Sequence, residues 1–193
     1  MNTQDFIKYM ESGKPAIEGS EIFSMFNELA QEAIKITMEI NCKYHSPQEI
    51  VELFSKLTGK EIDKSFRLFP PFYTDCGKNI TVGKNVFINA SCKFQDQGGI
   101  IIGDGCLIGH SVTLATLNHD INPIKRANIY PAPIKIGNNV WIGSNSTILP
   151  GVEIGNGSII GAGSVVTKSI PENCIAVGNS CKIIKHIKKE KKE

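Results

Sequence analysis

The stretch IKIGNNVWIGSNSTILPGVEIGNGSIIGAGSVVTK, residues 134–168, decides the fold. Read in steps of six, every step from residue 136 begins with an aliphatic side chain: Ile136, Ile142, Ile148, Ile154, Ile160 and Val166. Glycine usually follows, and another apolar or small residue recurs four places after the aliphatic one. This period fits neither an amphipathic helix nor one alternating strand. It is typical of a solenoid of short parallel strands, in which six residues make one flat side and a tight corner.

The same six-residue pattern extends upstream and is interrupted there. It starts near Phe72, shifts phase at Gly98-Gly99 and fails completely between Thr116 and Ile134. We therefore expect a parallel β-helix over residues 70–171 with an inserted loop at 116–133. Insertions in a solenoid map to loops on one face, often the binding face. The insertion contains a His beside an Asp, two basic residues and three prolines, and its prolines predict a loop that does not fold back as a strand.

Residues 1–69 are predicted to form an α-helical subdomain. Apolar residues recur at helical spacing from 21 to 41, after a shorter helix near the N-terminus. Ser46 followed by Glu49 is a capping-box pattern, which predicts a helix that ends at Gly59. The apolar faces of these helices are expected to cover one end or flank of the β-helix, where strand edges would otherwise be open.

Residues 172–193 depart from the six-residue pattern. We expect them to cross over the coil and to end as a short basic helix with a frayed tail. The formal net charge of the whole chain is only +2, and much of the excess lies in this segment. That balance gives no reason to expect a nucleic-acid partner.

The sequence shows no apolar run long enough to span a membrane and no signal peptide, so we expect a cytoplasmic protein. Its six cysteines lack C-x-x-C spacing. Cys76, Cys92 and Cys106 fall on inward-facing places of the pattern, which indicates reduced core residues and neither disulfides nor a zinc site.

Three further blocks carry a resemblance to a known family. They are FPPFYTDCGKNITVG at 69–83, NNVWIGS at 138–144 and IGAGSVVTKSIP at 160–171. Together with the hexapeptide pattern and Asn118-His119 in the insertion, they resemble the maltose and galactoside O-acetyltransferases. These are acetyl-CoA-dependent enzymes of the left-handed β-helix superfamily. Left-handedness is implied by the resemblance alone, because the usual crossover rule favours the opposite hand.

His119 is the leading catalytic candidate. Acetyl transfer to a hydroxyl needs a base of near-neutral pKa placed beside the attacking oxygen. The resemblance implies this role for His119, while a loop histidine without a role is the alternative. The motif offers a base and no placed nucleophile, so we expect direct transfer in a ternary complex, with acetyl-CoA as co-substrate and no metal.

Four residues are candidates for binding the acceptor. By resemblance, Asp75, Asn89 and Gln97 correspond to acceptor-contacting positions, although Asn89 could equally be a corner residue with a left-handed backbone. A member of that family aligned with this sequence has a residue with a hydroxyl side chain at the position of Asp75 and an acidic residue at the position of Gln97. Asp96 could supply the lost carboxylate, although a shift of one residue on a strand reverses its side. We expect a sugar or glycoside hydroxyl as acceptor, with an antibiotic or an amino acid as the alternative.

Six positions correspond by resemblance to positions that bind coenzyme A: Ser144, Ala162, Thr167, Lys168, Lys182 and Lys185. Main-chain groups at strand ends suit the pantetheine amides, and lysines suit the nucleotide phosphates. Lys182 and Lys185 stand where the family has arginines, so they keep the charge and lose the bidentate fork. For each lysine alone, a solvated surface charge is the alternative.

The triangular section of such a coil also suggests an assembly. We expect a homotrimer with sites between subunits, packed through a flat face that includes Ile159 and Val165 and with each insertion reaching over a neighbour. Two other classes remain. A zinc carbonic anhydrase needs three histidines per metal, whereas the coil region supplies only His110 and His119. A non-catalytic structural coil would not need the insertion with its His-Asp pair.

Overall fold

The computed structural model describes residues 1–188, so the last five residues of the predicted frayed tail lie outside the described part. Three helices come first, and short stacked strands occupy most of the rest. The predicted parallel β-helix with an N-terminal helical subdomain is confirmed. No helix within residues 1–188 is both long and apolar enough to cross a membrane.

The helices are α1 (Thr3–Glu11), α2 (Glu21–Cys42) and α3 (Pro47–Thr58). The capping box before α3 is confirmed, because Ser46 and Glu49 each bond the other's backbone N–H through the side chain. Gly59 ends this helix with φ 69°, a left-handed conformation that glycine adopts at little cost.

The β-helix has three sheets, one for each flat side of the coil. Within residues 1–188 the seven-stranded sheet contains β1 (Arg67–Leu68), β4 (Phe87–Ile88), β7 (Leu107–Ile108), β12 (Trp141–Ile142), β15 (Ile159–Ile160), β17 (Cys174–Val177) and β18 (Lys182–His186). The five-stranded sheet contains β2 (Phe72–Thr74), β5 (Cys92–Gln95), β8 (Thr113–Ala115), β13 (Thr147–Ile148) and β16 (Val165–Val166). The four-stranded sheet contains β3 (Ile80–Val82), β6 (Ile100–Ile102), β11 (Ile134–Ile136) and β14 (Glu153–Ile154).

The aliphatic residue of each six-residue step lies inside the coil and stacks on its counterparts. In the seven-stranded sheet the parallel register aligns Ile88 with Ile108, then with Ile142 and Ile160. All four side chains are buried. Burial of an isoleucine side chain stabilises a fold by roughly 1.5–3 kcal/mol, so these columns are the main source of the stability of the coil.

The helical subdomain covers the N-terminal end of the coil, as predicted. Phe54 of α3 stacks on Phe66 with ring centroids 4.5 Å apart and contacts Phe72 edge-on at 5.6 Å. From α2, Asn41 donates to the carbonyl of Phe72 at 2.9 Å and accepts from its N–H at 2.8 Å. The side-chain amide of Asn41 therefore pairs the backbone of the outermost strand of the five-stranded sheet, which would otherwise be an open edge.

Two predicted limits of the coil require correction. The first strand, β1, begins at Arg67 and pairs with β4, so the coil starts before residue 70. Beyond residue 171, β17 still adds to the seven-stranded sheet, and β18 pairs antiparallel with it over Lys182–His186. The predicted basic helix is therefore wrong at 182–186, because these residues pair with β17 and cover the edge that it would leave open.

The prediction that the insertion does not fold back as a strand is also wrong. Its two ends form an antiparallel pair, β9 (Leu117–His119) and β10 (Ile129–Pro131), joined by a tip that contains a 3-10 turn at Pro123–Lys125. Proline is tolerated because Pro131 is the last residue of this short ladder. On the other side of β10, Ala16 exchanges two backbone hydrogen bonds with Ile129, at 2.8 and 3.0 Å.

A second hydrophobic cluster holds the base of this hairpin against the helices. It contains Phe6, Met10, Ala16, Ile22, Met25, Leu29, Cys76 and Ile129, separate from the core of the coil. The hairpin base is therefore packed, whereas Ile121 and Ile124 at its tip are each 93% exposed.

The flat face proposed from the sequence does not exist as one surface. Ile159 lies on β15 in the seven-stranded sheet, whereas Val165 lies on β16 in the five-stranded sheet. The chain turns a corner between them, so the two side chains belong to different sides of the coil.

Candidate active site

His119 ends β9, directly across the hairpin from Ile129. Its ring is exposed, and Nδ1 lies 2.8 Å from the carbonyl oxygen of Arg126. A carbonyl oxygen only accepts hydrogen bonds, so Nδ1 must carry the hydrogen and donate it. The neutral ring then keeps the lone pair on Nε2, which is the form that a general base needs.

Asp120, the residue after His119, makes hydrogen bonds within the hairpin tip. Asp120 accepts from the N–H of Asn122 at 2.9 Å and from the hydroxyl of Tyr130 at 3.0 Å. The hydrogen bond from the Asn122 backbone, followed by that from Tyr130, lowers the pKa of the Asp120 carboxyl. Asp120 therefore orders the hairpin tip, and the carbonyl of Arg126 orients His119.

Asp75 follows β2 at the corner from which the insertion emerges. The neighbouring protein atoms partly desolvate its accessible carboxyl, which raises the pKa of Asp75, while hydrogen bonds from Gln97 and Gln95 act in the opposite direction. Gln95 was not predicted, since only the register between β2 and β5 shows that it reaches Asp75.

Gln97 joins this group as a buried residue, only 5% exposed. Its Oε1 atom is buried and accepts no hydrogen bond from the residues that the structure describes. Since a buried acceptor without a partner is costly, the Oε1 atom of Gln97 is a candidate to receive a hydrogen bond from a bound molecule.

Asp96 points into the protein and is fully buried. It accepts from the Thr74 hydroxyl at 2.6 Å and from the N–H groups of Cys76 and Asn79 at 2.9 and 3.2 Å. Burial raises the pKa of the Asp96 carboxyl, against these hydrogen bonds. The prediction that Asp96 supplies a carboxylate to the acceptor is therefore wrong, because the side chain holds the turn at 74–79 together.

Asn89 lies at a different corner, between the seven- and the five-stranded sheet. It is half-buried, and its side-chain oxygen accepts from the N–H of Ala90 at 3.0 Å. The residue with the left-handed backbone at this corner is Ser91, with φ 67°, and not Asn89. The corner conformation therefore does not account for the asparagine, and its role as an acceptor contact remains a proposal.

Ser144 and Ala162 lie on this same corner, which we call the small-residue corner (residues 89–91, 109–111, 143–145 and 161–163). The coils stack closely here: a Cβ atom on Gly143 would lie 2.5 Å from the backbone nitrogen of Ala162. Only glycine fits at such a distance. The structure thus brings two of the predicted coenzyme positions next to each other.

The other four predicted coenzyme positions lie elsewhere. Thr167 and Lys168 are exposed at the corner after β16, and Lys182 and Lys185 are exposed on β18. One chain therefore distributes the candidate residues over two corners, one on each side of the five-stranded sheet, and over the strand at the end of the coil.

The cysteines are free, and the predicted inward-facing ones are buried. Burial raises the pKa of Cys76 to about 12 and that of Cys92 to about 11. Thiols of this kind are poor nucleophiles, because the reactive form is the thiolate. Within residues 1–188, no group of three or more His, Cys, Asp or Glu side chains is arranged to hold a metal ion.

The sequence matches two family models of hexapeptide repeats. Residues 133–168 match the bacterial transferase hexapeptide of six repeats, and residues 79–114 match the hexapeptide repeat of succinyl-transferase. The chain is 41% identical over 151 residues to the galactoside O-acetyltransferase of Escherichia coli K12, which covers 77% of this chain and 74% of the relative.

Solved structures show the same similarity along nearly the whole chain. A maltose O-acetyltransferase from Clostridium difficile 630 superposes with a TM-score of 0.86 at 37% identity, covering 95% of this chain and 97% of that one. A galactoside acetyltransferase in complex with coenzyme A gives a TM-score of 0.80 at 34% identity, covering 97% of this chain and 92% of that one.

Proposed function

The chain belongs to the maltose and galactoside O-acetyltransferases of the hexapeptide-repeat type, and for this acetyl-CoA-dependent enzyme we propose a hydroxyl of a sugar or glycoside as acceptor. The observation that carries the proposal is the hydrogen bond from His119 to the Arg126 carbonyl, which leaves Nε2 free to take a proton. The packed base of the hairpin keeps this ring in place.

In the proposed reaction His119 is the general base. Nε2 takes the hydroxyl proton of the acceptor while the acceptor oxygen attacks the carbonyl carbon of the thioester. The tetrahedral intermediate then collapses, the carbon–sulfur bond breaks and coenzyme A leaves. Transfer is direct in a ternary complex, and the buried thiols of Cys76 and Cys92, with their raised pKa values, support the absence of an acetyl-cysteine intermediate.

Asp75 and Gln97 are proposed to bind the acceptor as one unit. The carboxylate of Asp75, held by Gln95 and Gln97, accepts hydrogen bonds from acceptor hydroxyls. The unpartnered Oε1 of Gln97 offers a second acceptor atom close by. Two neighbouring oxygen atoms that accept hydrogen bonds suit a molecule with several hydroxyl groups, such as a sugar.

We propose that the active unit is a homotrimer with each site between two chains. Asn89, Ser144 and Ala162 lie on the small-residue corner, whereas Asp75, Gln97 and the hairpin with His119 belong to the corner on the other side of the five-stranded sheet. Cyclic symmetry places unlike surfaces of neighbouring copies against each other. The pantetheine arm would lie along Ser144 and Ala162, with Thr167, Lys168, Lys182 and Lys185 as further contacts.

An acceptor screen tests this function. The purified protein is given acetyl-CoA and a panel of sugars, glycosides, aminoglycoside antibiotics and serine, and release of free thiol is followed. We expect turnover with a sugar or glycoside and a product that carries an O-acetyl ester. Turnover with the antibiotics or serine alone would establish a non-sugar acceptor. We also propose the cytoplasm as location, because its reducing conditions suit free cysteines.

A further inference from the structure

One histidine on the small-residue corner has no part in the proposed general-base step. Equivalent positions in successive coils of this corner are occupied by Ala90, His110, Ser144 and Ala162. Each of them lies two residues after a stacked isoleucine. Three of the four side chains are small. His110 is the large one, and its ring is exposed.

The ring of His110 is also unengaged. Within residues 1–188 its nitrogens make no hydrogen bond and no ion pair, in contrast to His45 and His119, which each bond a backbone carbonyl. Only the backbone of His110 is used, since its carbonyl accepts from the N–H of Asn145 at 2.8 Å. The side chain of His110 therefore has no structural role that would explain a histidine at this position.

The position of His110 along the corner is specific. Neighbouring coils are about 4.8 Å apart, the usual distance between strands. His110 lies one coil from Ser144 on the coenzyme side and one coil from Ala90, the residue after Asn89, on the other side. A pantetheine arm that ran along Ala162 and Ser144 and continued in the same direction would meet His110 on the next coil.

A lysine lies beside the same corner, one coil away from His110. Lys93 projects from β5, and its Nζ atom donates to the carbonyl of Ser91 at 3.4 Å, which places the ammonium beside this corner. Among the described residues, no carboxylate forms an ion pair with Lys93 or His110. A sulfur atom at this place would thus face one fixed positive charge and one side chain that can release a proton.

We propose that His110 is a second acid–base residue of the reaction, which gives a proton to the coenzyme A sulfur as the thioester breaks. The proposal rests on the proposed function. The acceptor proton passes to Nε2 of His119, the new ester bond forms, and the electron pair of the carbon–sulfur bond moves to sulfur, which takes the proton of the His110 imidazolium. Solvent then removes the proton from His119 and restores that of His110, so the net products are the ester and the free thiol of coenzyme A.

A binding measurement without turnover tests the inference. Free coenzyme A is bound to the wild type, and its thiol is titrated by the ultraviolet absorbance of the thiolate. We expect the bound thiol to ionise at a pH about two units or more below that in His110→Gln, because the imidazolium can stabilise the thiolate only when the coupling exceeds the usual gap between the two pKa values. His45→Gln, a histidine change outside the coil at a ring that bonds the Glu39 carbonyl, should give the wild-type value. Equal thiol pKa values in wild type and His110→Gln would overturn the proposal.

Kinetics provide a second readout. For His110→Gln we expect kcat to fall at least about tenfold with the KM for acetyl-CoA nearly unchanged, a smaller loss than general acids usually give, because a thiolate leaves readily. A change confined to KM would show that His110 only lines the groove. If the wild type itself binds no coenzyme A, the proposed function fails, and the roles of the two histidines fail with it.

Discussion

The Nδ1 atom of His119 and the carbonyl oxygen of Arg126 lie 2.8 Å apart across the hairpin that interrupts the β-helix. The carbonyl selects the tautomer of the ring, since it can only accept a hydrogen bond. The orientation of the proposed base thus depends on how the hairpin folds back on itself, and the packed residue Ile129 holds that hairpin to the helical subdomain.

His119→Ala should abolish most of the turnover without loss of the fold. We expect kcat to fall at least about a hundredfold, the usual contribution of a general base, while acetyl-CoA affinity stays at the wild-type level. Turnover is measured by thiol release and affinity by calorimetry. His45→Ala is the matched control and should retain full activity. Turnover of the His119 variant within a few-fold of the wild type would remove this residue from the mechanism.

Asp75→Asn should weaken binding of the acceptor and leave binding of acetyl-CoA unchanged. Loss of a charged hydrogen-bond partner costs about 1.5–3 kcal/mol, so we expect the KM of the acceptor to rise roughly tenfold or more while the KM of acetyl-CoA is unchanged. Because the pKa of Asp75 is raised, the wild type should lose acceptor affinity as the pH falls through that raised value. The variant should lack this step. A variant with the wild-type pH profile would contradict the role of Asp75.

Asp96→Ala should destabilise the protein strongly. The change leaves the Thr74 hydroxyl and the N–H groups of Cys76 and Asn79 without their partner, which we expect to lower the free energy of unfolding by about 3 kcal/mol or more. Urea denaturation measures it. Asp104→Ala is the control, since that exposed carboxylate accepts from the N–H of Lys84, and its loss should cost about 1 kcal/mol or less. Similar losses for the two variants would argue against the internal role of Asp96.

Activity should not require a metal. Dialysis against a chelator is expected to leave turnover unchanged, because the reaction as proposed needs a base and a positioned thioester and no Lewis acid. The measurement is thiol release before and after dialysis, with added zinc as a further arm. Activity that disappears on dialysis and returns with zinc would overturn this prediction.

The shared site can be tested by mixing two inactive variants. Light scattering should first show about three times the chain mass. His119→Ala chains and Ala162→Trp chains, the second with a blocked small-residue corner, are then unfolded together and refolded. If each site uses His119 of one chain and the corner of its neighbour, random mixing restores about a quarter of the sites. No recovery, with each wild-type control refolding fully, would place both parts of the site in one chain.

The sequence was most informative where the structure is periodic or local. The six-residue step determines which side chains face inward, so the columns of Ile142 and its counterparts could be predicted without coordinates. The capping box of Ser46 and Glu49 is equally local and was predicted correctly. The family, too, was recognisable, because short motifs along the chain carry it.

Only the tertiary structure decided what depends on contacts between distant residues. It turned Asp96 inward beside Asp75, made a strand of residues 182–186, separated Ile159 from Val165 and aligned His110 between Ala90 and Ser144. Each of these outcomes depends on register between coils, or on an edge that another segment covers. A periodic sequence states that a residue faces in or out, but a shift of one residue reverses the side, and the partner strand that sets the register lies about twenty or more residues away.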